Sequence, residues 1–468
     1  MAFVEPWQLR ARFARSLSEM YGREVPAYKT LVDVSREVND AVVAARGADA
    51  ERLGSLDRVT AERHGAIRLG TPRELAAVAR IFGAIGMFPV GFYDLRDAAP
   101  TPVPVVSTAF RPIDPGELAR NPFRVFTSLL AVSDRRFFDA ATARRLERFL
   151  DRRVLFSPEL LALADRAEAG DGLPGADADR FVTLATRAFE LSREPIDEDW
   201  YRHLERISAV AADIGGVAST HVNHLTPRVL DIDELYARMQ ARGIAMIDAI
   251  QGPPRWDGPD VLLRQTSFRA LDEPRRFRRA DGSVHEAPVR VRFGEVEARG
   301  VALTAAGRAL YDELVVEVAA ARAADPAADG AAVAARVWNE RVPATERGLI
   351  AADLAFFRYE LVADRRADGR RPPADAAGLL DGGWVTAHPI VYEDFLPRSA
   401  AGIFQSNLAE SGATDAGAEA GADLDAAWLE GVLGRDLADP ISLYAAQRER
   451  SLHAVRRALE PAAHISRS

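Results

Sequence analysis

Apolar residues recur at helical spacing through residues 7–50: Leu9, Phe13, Leu17 and Met20 form one stripe, then Tyr28, Leu31, Val32, Val38 and Val42 a second. Residues 62–70 lose that period and read as an extended segment closed by Gly70. Thr71-Pro72-Arg73-Glu74 sets a threonine cap ahead of a proline at the first helical position, which predicts a helix to about Phe82. Further strands are expected at Phe88–Tyr93 and Pro104–Phe110. A strand, a helix and then strands in series is the order of a βαβββ module.

Helical spacing returns over 134–215, broken by a loop at Gly170–Gly175. Strand-like stretches reappear at 217–225, 261–269 and 288–297. Helices are expected at about 304–323, 330–340 and 440–460, with an extended run from Trp384 to Phe395. Residues 409–423 are rich in alanine and glycine and predict a surface loop. The expected class is therefore α+β, a β-sheet core of βαβββ-type modules elaborated with many helices. Its parts are N-terminal helices (1–61), a first β-rich module (62–130), a helical insertion (131–215), a second β-rich module with its own insertion (216–408), and a loop with a closing helix (409–468). All belong to one elaborated catalytic domain, 1–468.

Composition narrows the chemistry. The 468 residues, 48% hydrophobic, suffice for a large core. Cysteine is absent, which excludes disulfides, cysteine-ligated zinc, iron–sulfur clusters and a thiol nucleophile. Lys29 is the sole lysine beside 59 arginines, and it lacks a glycine-rich approach, so Schiff-base and phosphate-loop chemistry are poorly supported. Net charge is −9, and the one basic run, Arg275-Arg276-Phe277-Arg278-Arg279, is flanked by Asp272, Glu273 and Asp281. That run reads as solvated surface, and no nucleic-acid partner is expected. No basic-then-apolar leader and no apolar run near 18 residues occurs, so the expectation is a cytoplasmic protein without a membrane partner.

There is no G-x-S-x-G elbow, H-E-x-x-H pair, dinucleotide fingerprint or phosphate loop. Attention falls on His64, on His221 and His224, and on Glu295 and Glu297, all in strand-like stretches. Two imidazoles and one carboxylate on one side of a divalent metal leave coordination positions open, an arrangement suited to non-haem Fe(II) with a chelating substrate and O2. His64 and Arg68, four apart on a strand, share a face about 13 Å apart, and the planar arginine fork suits a carboxylate. His221 and His224 are three apart in an extended segment and so are expected on opposite faces, one of them structural. Glu295 and Glu297 share a face, and geometry alone does not choose between them. His203, His285, His388, His453 and His464 read as surface, turn or tail residues.

Several long stretches carry a family resemblance: Tyr28–Val32, Arg63–Thr71, Phe123–Leu130, His224–Arg228, Leu263–Phe268, Arg292–Glu295 and Val391–Asn407. Together they resemble the 2-oxoadipate dioxygenase/decarboxylase family, also called hydroxyglutarate synthase, nearly end to end. The resemblance implies a vicinal-oxygen-chelate-like core and an Fe(II) cofactor held by His64, His224 and Glu295, deciding against His221 and Glu297. It implies conversion of 2-oxoadipate and O2 to 2-hydroxyglutarate and CO2 in lysine breakdown. It also implies substrate contacts from Arg68 and from the position before Ser399-Ala400-Ala401-Gly402, here Arg398, where relatives carry a small apolar residue. Two other classes compete: a non-redox metal-dependent lyase or isomerase of a 2-oxo acid, and a non-catalytic carboxylate-binding protein without metal.

Overall fold

A computed structural model of the chain describes residues 3–97, 102–290, 292–363, 371–396 and 423–459. The two N-terminal stripes become α1 (Pro6–Glu24) and α2 (Pro26–Arg46), each opening on a proline whose missing N–H is no loss in a first turn. Their buried Phe13, Leu17, Leu31 and Val38 join the core that lies against the main sheet.

β1 (Arg63–Leu69) leads into α3 (Pro72–Gly83), closed at its start by a reciprocal cap in which Glu74 N–H donates to Thr71 and Thr71 N–H to the Glu74 carboxylate. β2 (Phe88–Asp94), β3 (Val105–Arg111) and β4 (Arg124–Leu130) follow. The helical insertion ends in α4 (Ala209–Gly215), and β5 (Val222–Pro227) then joins the same sheet. Strand order is β2-β3-β4-β1-β5, with β1 parallel to β4 and antiparallel to β5. A parallel neighbour requires a crossover, which α3, β2 and β3 supply.

The second β-rich region repeats this order in reduced form. After β5 come α5 (Ile232–Ala241), β6 (Leu263–Phe268), the hairpin β7 (Glu273–Arg278) and β8 (Val284–Val289), and β9 (Gly294–Arg299). β6 pairs antiparallel with β9, and the segment between α5 and β6 adds isolated bridges, Met246 with Phe268 and Gln251 with Gln265. β9 runs beside the end of β5, where Val229 N–H donates to the Glu297 carbonyl at 2.8 Å.

Paired residues on neighbouring strands point the same way. One face of β1 sends Ile67 and Leu69 into the main core with Val125 and Leu129. The other carries His64, Ala66 and Arg68 beside Phe126 and Ser128. A second apolar layer, including Phe126, Phe395, Phe277 and Tyr201, lies on that face, so its polar groups are interior.

Two expectations need correction. The strand expected over 288–297 is two strands, because apolar alternation in the letters carries on across the break at residue 290 and hides it. The basic run 275–279 is not all solvated: along β7, Arg275 and Phe277 are buried while Pro274, Arg276 and Arg278 are exposed. Arginine at an inward position masked the two-residue period. Helices at Ala305–Ala324, Gly330–Arg341 and Pro440–Leu459 lie where expected. Residues 397–422, with Arg398 and most of the low-complexity stretch, lie outside the described residues. No described helix is long and apolar enough to cross a membrane.

Candidate metal centre

β1 and β5 are neighbours in the sheet, and β9 lies beside the end of β5, so three strands converge. His64 from β1, His224 from β5 and Glu295 from β9 each offer a ligand atom, all within 4.8 Å of one another. They are 1%, 5% and 3% exposed. The His64 Nε2 lies 3.1 Å from one Glu295 oxygen and the His224 Nε2 lies 3.7 Å from the other. The two imidazole rings stand perpendicular with centroids 5.2 Å apart.

Each ligand side chain is held from behind. The His224 Nδ1 is 3.0 Å from the Thr226 hydroxyl, and its ring stacks on Phe293. The His64 Nδ1 is 2.8 Å from Glu297, and its ring meets Phe395 edge-on at 5.0 Å. The Gln265 amide donates to Glu295. Both Nε2 atoms are thus left facing the Glu295 carboxylate, the arrangement by which partners behind a histidine set its tautomer. Burial lowers the His224 pKa to about 4 despite Glu295, so the ring is neutral near pH 7 and able to ligate. Burial also pulls on His64, but the Glu297 and Glu295 carboxylates outweigh it and the net shift is upward.

The structure does not leave Glu297 remote. It shares the site face with Glu295 and anchors a buried charge network. Arg299 clasps Glu297 with two hydrogen bonds of 2.8 Å, and Arg124, the register partner of His64, reaches it at 3.2 Å. Arg124 also binds Glu62 at 2.6 Å and Glu393, while Arg228 binds Glu62 at 2.8 Å and Arg58 binds Glu393. Burial disfavours the Glu297 anion, but Arg299, His64 and Arg124 hold its pKa well below the usual carboxylate range.

His221 is likewise not on the opposite face. The pairing of β1 with β5 steps from Ala66–His224 to Ile67–Val222, leaving Asn223 as an extra bulged residue. A bulge shifts strand parity by one, which returns His221 to the side of Arg68. There the Asp213 carboxylate of α4 takes the Arg68 guanidinium at 2.6 Å and the Asn223 amide at 2.9 Å, with the His221 Nε2 at 3.4 Å. Burial depresses the His221 pKa to about 3, Asp213 opposing it and Arg292, Arg275 and Arg68 adding to it. The Tyr21 hydroxyl of α1 lies 3.0 Å from both the Asn223 and the Phe293 carbonyls, tying together the strands that carry His224 and Glu295. Nothing in the letters around Tyr21 or Asp213 marks these roles.

The donor set fits a divalent metal on a further ground. Eight acidic residues are buried among the described residues, and seven have an arginine partner. Glu295 is the exception, facing only two imidazoles and an amide. A buried carboxylate without a cation is costly, and a metal ion would supply that cation.

Three comparisons agree with this architecture. The chain is 58% identical over 450 residues to the 2-oxoadipate dioxygenase/decarboxylase of Mycobacterium tuberculosis, covering 96% of this chain and 98% of that one. It is 41% identical over 474 residues to the Pseudomonas putida protein of the same name, covering 98% of each. The fold matches the crystal structure of hydroxyglutarate synthase in complex with 2-oxoadipate from Pseudomonas putida with a TM-score of 0.83 and 38% identity, over 98% of this chain and 99% of that one. The family model described as 2-oxoadipate dioxygenase/decarboxylase matches residues 13–407, and to that family the chain belongs.

Proposed function

We propose that the chain is an Fe(II)-dependent dioxygenase and decarboxylase that converts 2-oxoadipate and O2 into 2-hydroxyglutarate and CO2, a step of lysine breakdown. The observation that carries this reading is the Glu295 carboxylate, buried without an arginine and faced by two Nε2 atoms within 4.8 Å. His64, His224 and Glu295 would hold the iron, which when bound supplies electron transfer to O2 and open positions for a chelating 2-oxo acid.

The remaining tasks fall to the chain's own side chains. Glu297 and Thr226 keep the Nδ1 side of each histidine engaged, so the Nε2 lone pairs point inward. Asp213 orients the Arg68 guanidinium, which then binds the distal carboxylate of the substrate. Phe293 and Phe395 pack against the imidazoles and keep water from the reacting end. Arg398 is proposed as a second substrate contact. Atoms balance: the six-carbon oxo acid and O2 give the five-carbon hydroxy acid and CO2, with no separate 2-oxo acid consumed.

Oxygen uptake with a panel of 2-oxo acids under Fe(II) tests the reading. One O2 and one CO2 per 2-oxoadipate are expected, and labelled O2 should label the new hydroxyl. CO2 release that continues without oxygen would favour the non-redox lyase, and iron-loaded protein inert toward every 2-oxo acid would overturn the proposal.

A further inference from the structure

Ten arginines are buried among the described residues, and nine form an ion pair with a carboxylate. Arg275 is the tenth. It is 5% exposed and makes no hydrogen bond or ion pair with a described residue. On β7 it shares the inward face with Phe277, which meets Tyr201 edge-on. Phe277 belongs to the same apolar layer as Ala66, Phe126 and Phe395, the layer on the His64–Arg68 face of the sheet.

The carboxylate that acts most on Arg275 is Asp213, but Asp213 is already engaged by Arg68 at 2.6 Å and Asn223 at 2.9 Å. The neighbouring Arg292 is taken by Glu24 and Glu273. Two guanidinium groups, Arg68 and Arg275, therefore share the single charge of Asp213. Burial lowers the Arg275 pKa and Asp213 does not restore it. Arg275 is left without a carboxylate at contact distance among the described residues, and an anion bound there would offset the cost of burying its guanidinium.

We propose that Arg275 is a second cationic anchor, beside Arg68, for the distal carboxylate of the 2-oxo dicarboxylate substrate. This rests on the function proposed above and deepens it: two cations at that end select acids with a second carboxylate over those ending in a methyl group.

The test compares wild type, Arg275→Met and Arg275→Lys, all iron-loaded, with 2-oxoadipate and with 2-oxohexanoate, which has the same chain length and no distal carboxylate. Anaerobic calorimetry gives Kd, and oxygen uptake gives kcat/KM. For Arg275→Met, both quantities should worsen roughly tenfold to a hundredfold more for 2-oxoadipate than for 2-oxohexanoate, with partial recovery in Arg275→Lys. The Tm of Arg275→Met should not fall, because the change removes a buried guanidinium that makes no ion pair with a described residue and keeps similar volume. Equal losses on both acids with a lowered Tm would mark a structural arginine and overturn the proposal, as would unchanged discrimination in both variants. Wild type inert toward 2-oxoadipate would instead mark failure of the function proposed above.

Discussion

A His64 ring free to turn could present either nitrogen to a metal, and the Glu297 carboxylate 2.8 Å from Nδ1 removes that choice. Glu297→Gln keeps the volume and loses the charge, so metal affinity should fall roughly tenfold to a hundredfold, read by Mn(II) or Fe(II) titration of the apoprotein. Its Tm should fall too, since Arg124 and Arg299 lose a counter-charge in a buried network. Undiminished affinity would remove Glu297 from the site. At Arg68, lysine cannot reproduce a two-pronged contact, so Arg68→Lys should lower kcat/KM roughly tenfold to a hundredfold while metal binding survives. His221 bears on pH. An unfolded chain protonates this imidazole near its ordinary 6.5, whereas the folded one resists to about 3. The unfolded state therefore gains the proton first, and stability falls as pH drops through that window, with no contribution above it. In His221→Asn the Tm should decline less steeply below pH 6.5. Parallel Tm profiles for the two proteins would count against the buried neutral ring.

At the scale of elements, the features written locally were legible. The Thr71–Glu74 cap, the period of α1 and α2 and the extended character of β1 all depend on neighbours in sequence. The face of His221 was not legible, because parity along β5 is broken by a bulge at Asn223. Nothing in Val222-Asn223-His224 signals it, and a carbonyl–hydroxyl contact from α1 helps hold it. The ligand histidines could be narrowed from the letters, but choosing between Glu295 and Glu297 needed the family motifs, since both face the same way. Tyr21→Phe should cost about 1–3 kcal/mol in denaturant melts, by removing the single hydroxyl proton that the buried Asn223 and Phe293 carbonyls share. A change within a few tenths would show that the strands hold their spacing without it.

For the molecule as a whole, His64 and His224 stand on neighbouring strands of the main sheet while Glu295 comes from the separate β6–β9 pair, so a metal at this centre would tie that pair to the sheet. Ligation should therefore raise the wild-type Tm with metal concentration, and leave that of His64→Ala unmoved. The enclosure of the three ligands, none more than 5% exposed, has a kinetic side. A chelator in solution cannot form a mixed complex with a metal it cannot touch. Release must wait for the protein to open, so stripping rates should climb with chelator concentration only to a plateau. That plateau is the opening frequency of the fold itself, and a bound metal would become a clock for its breathing.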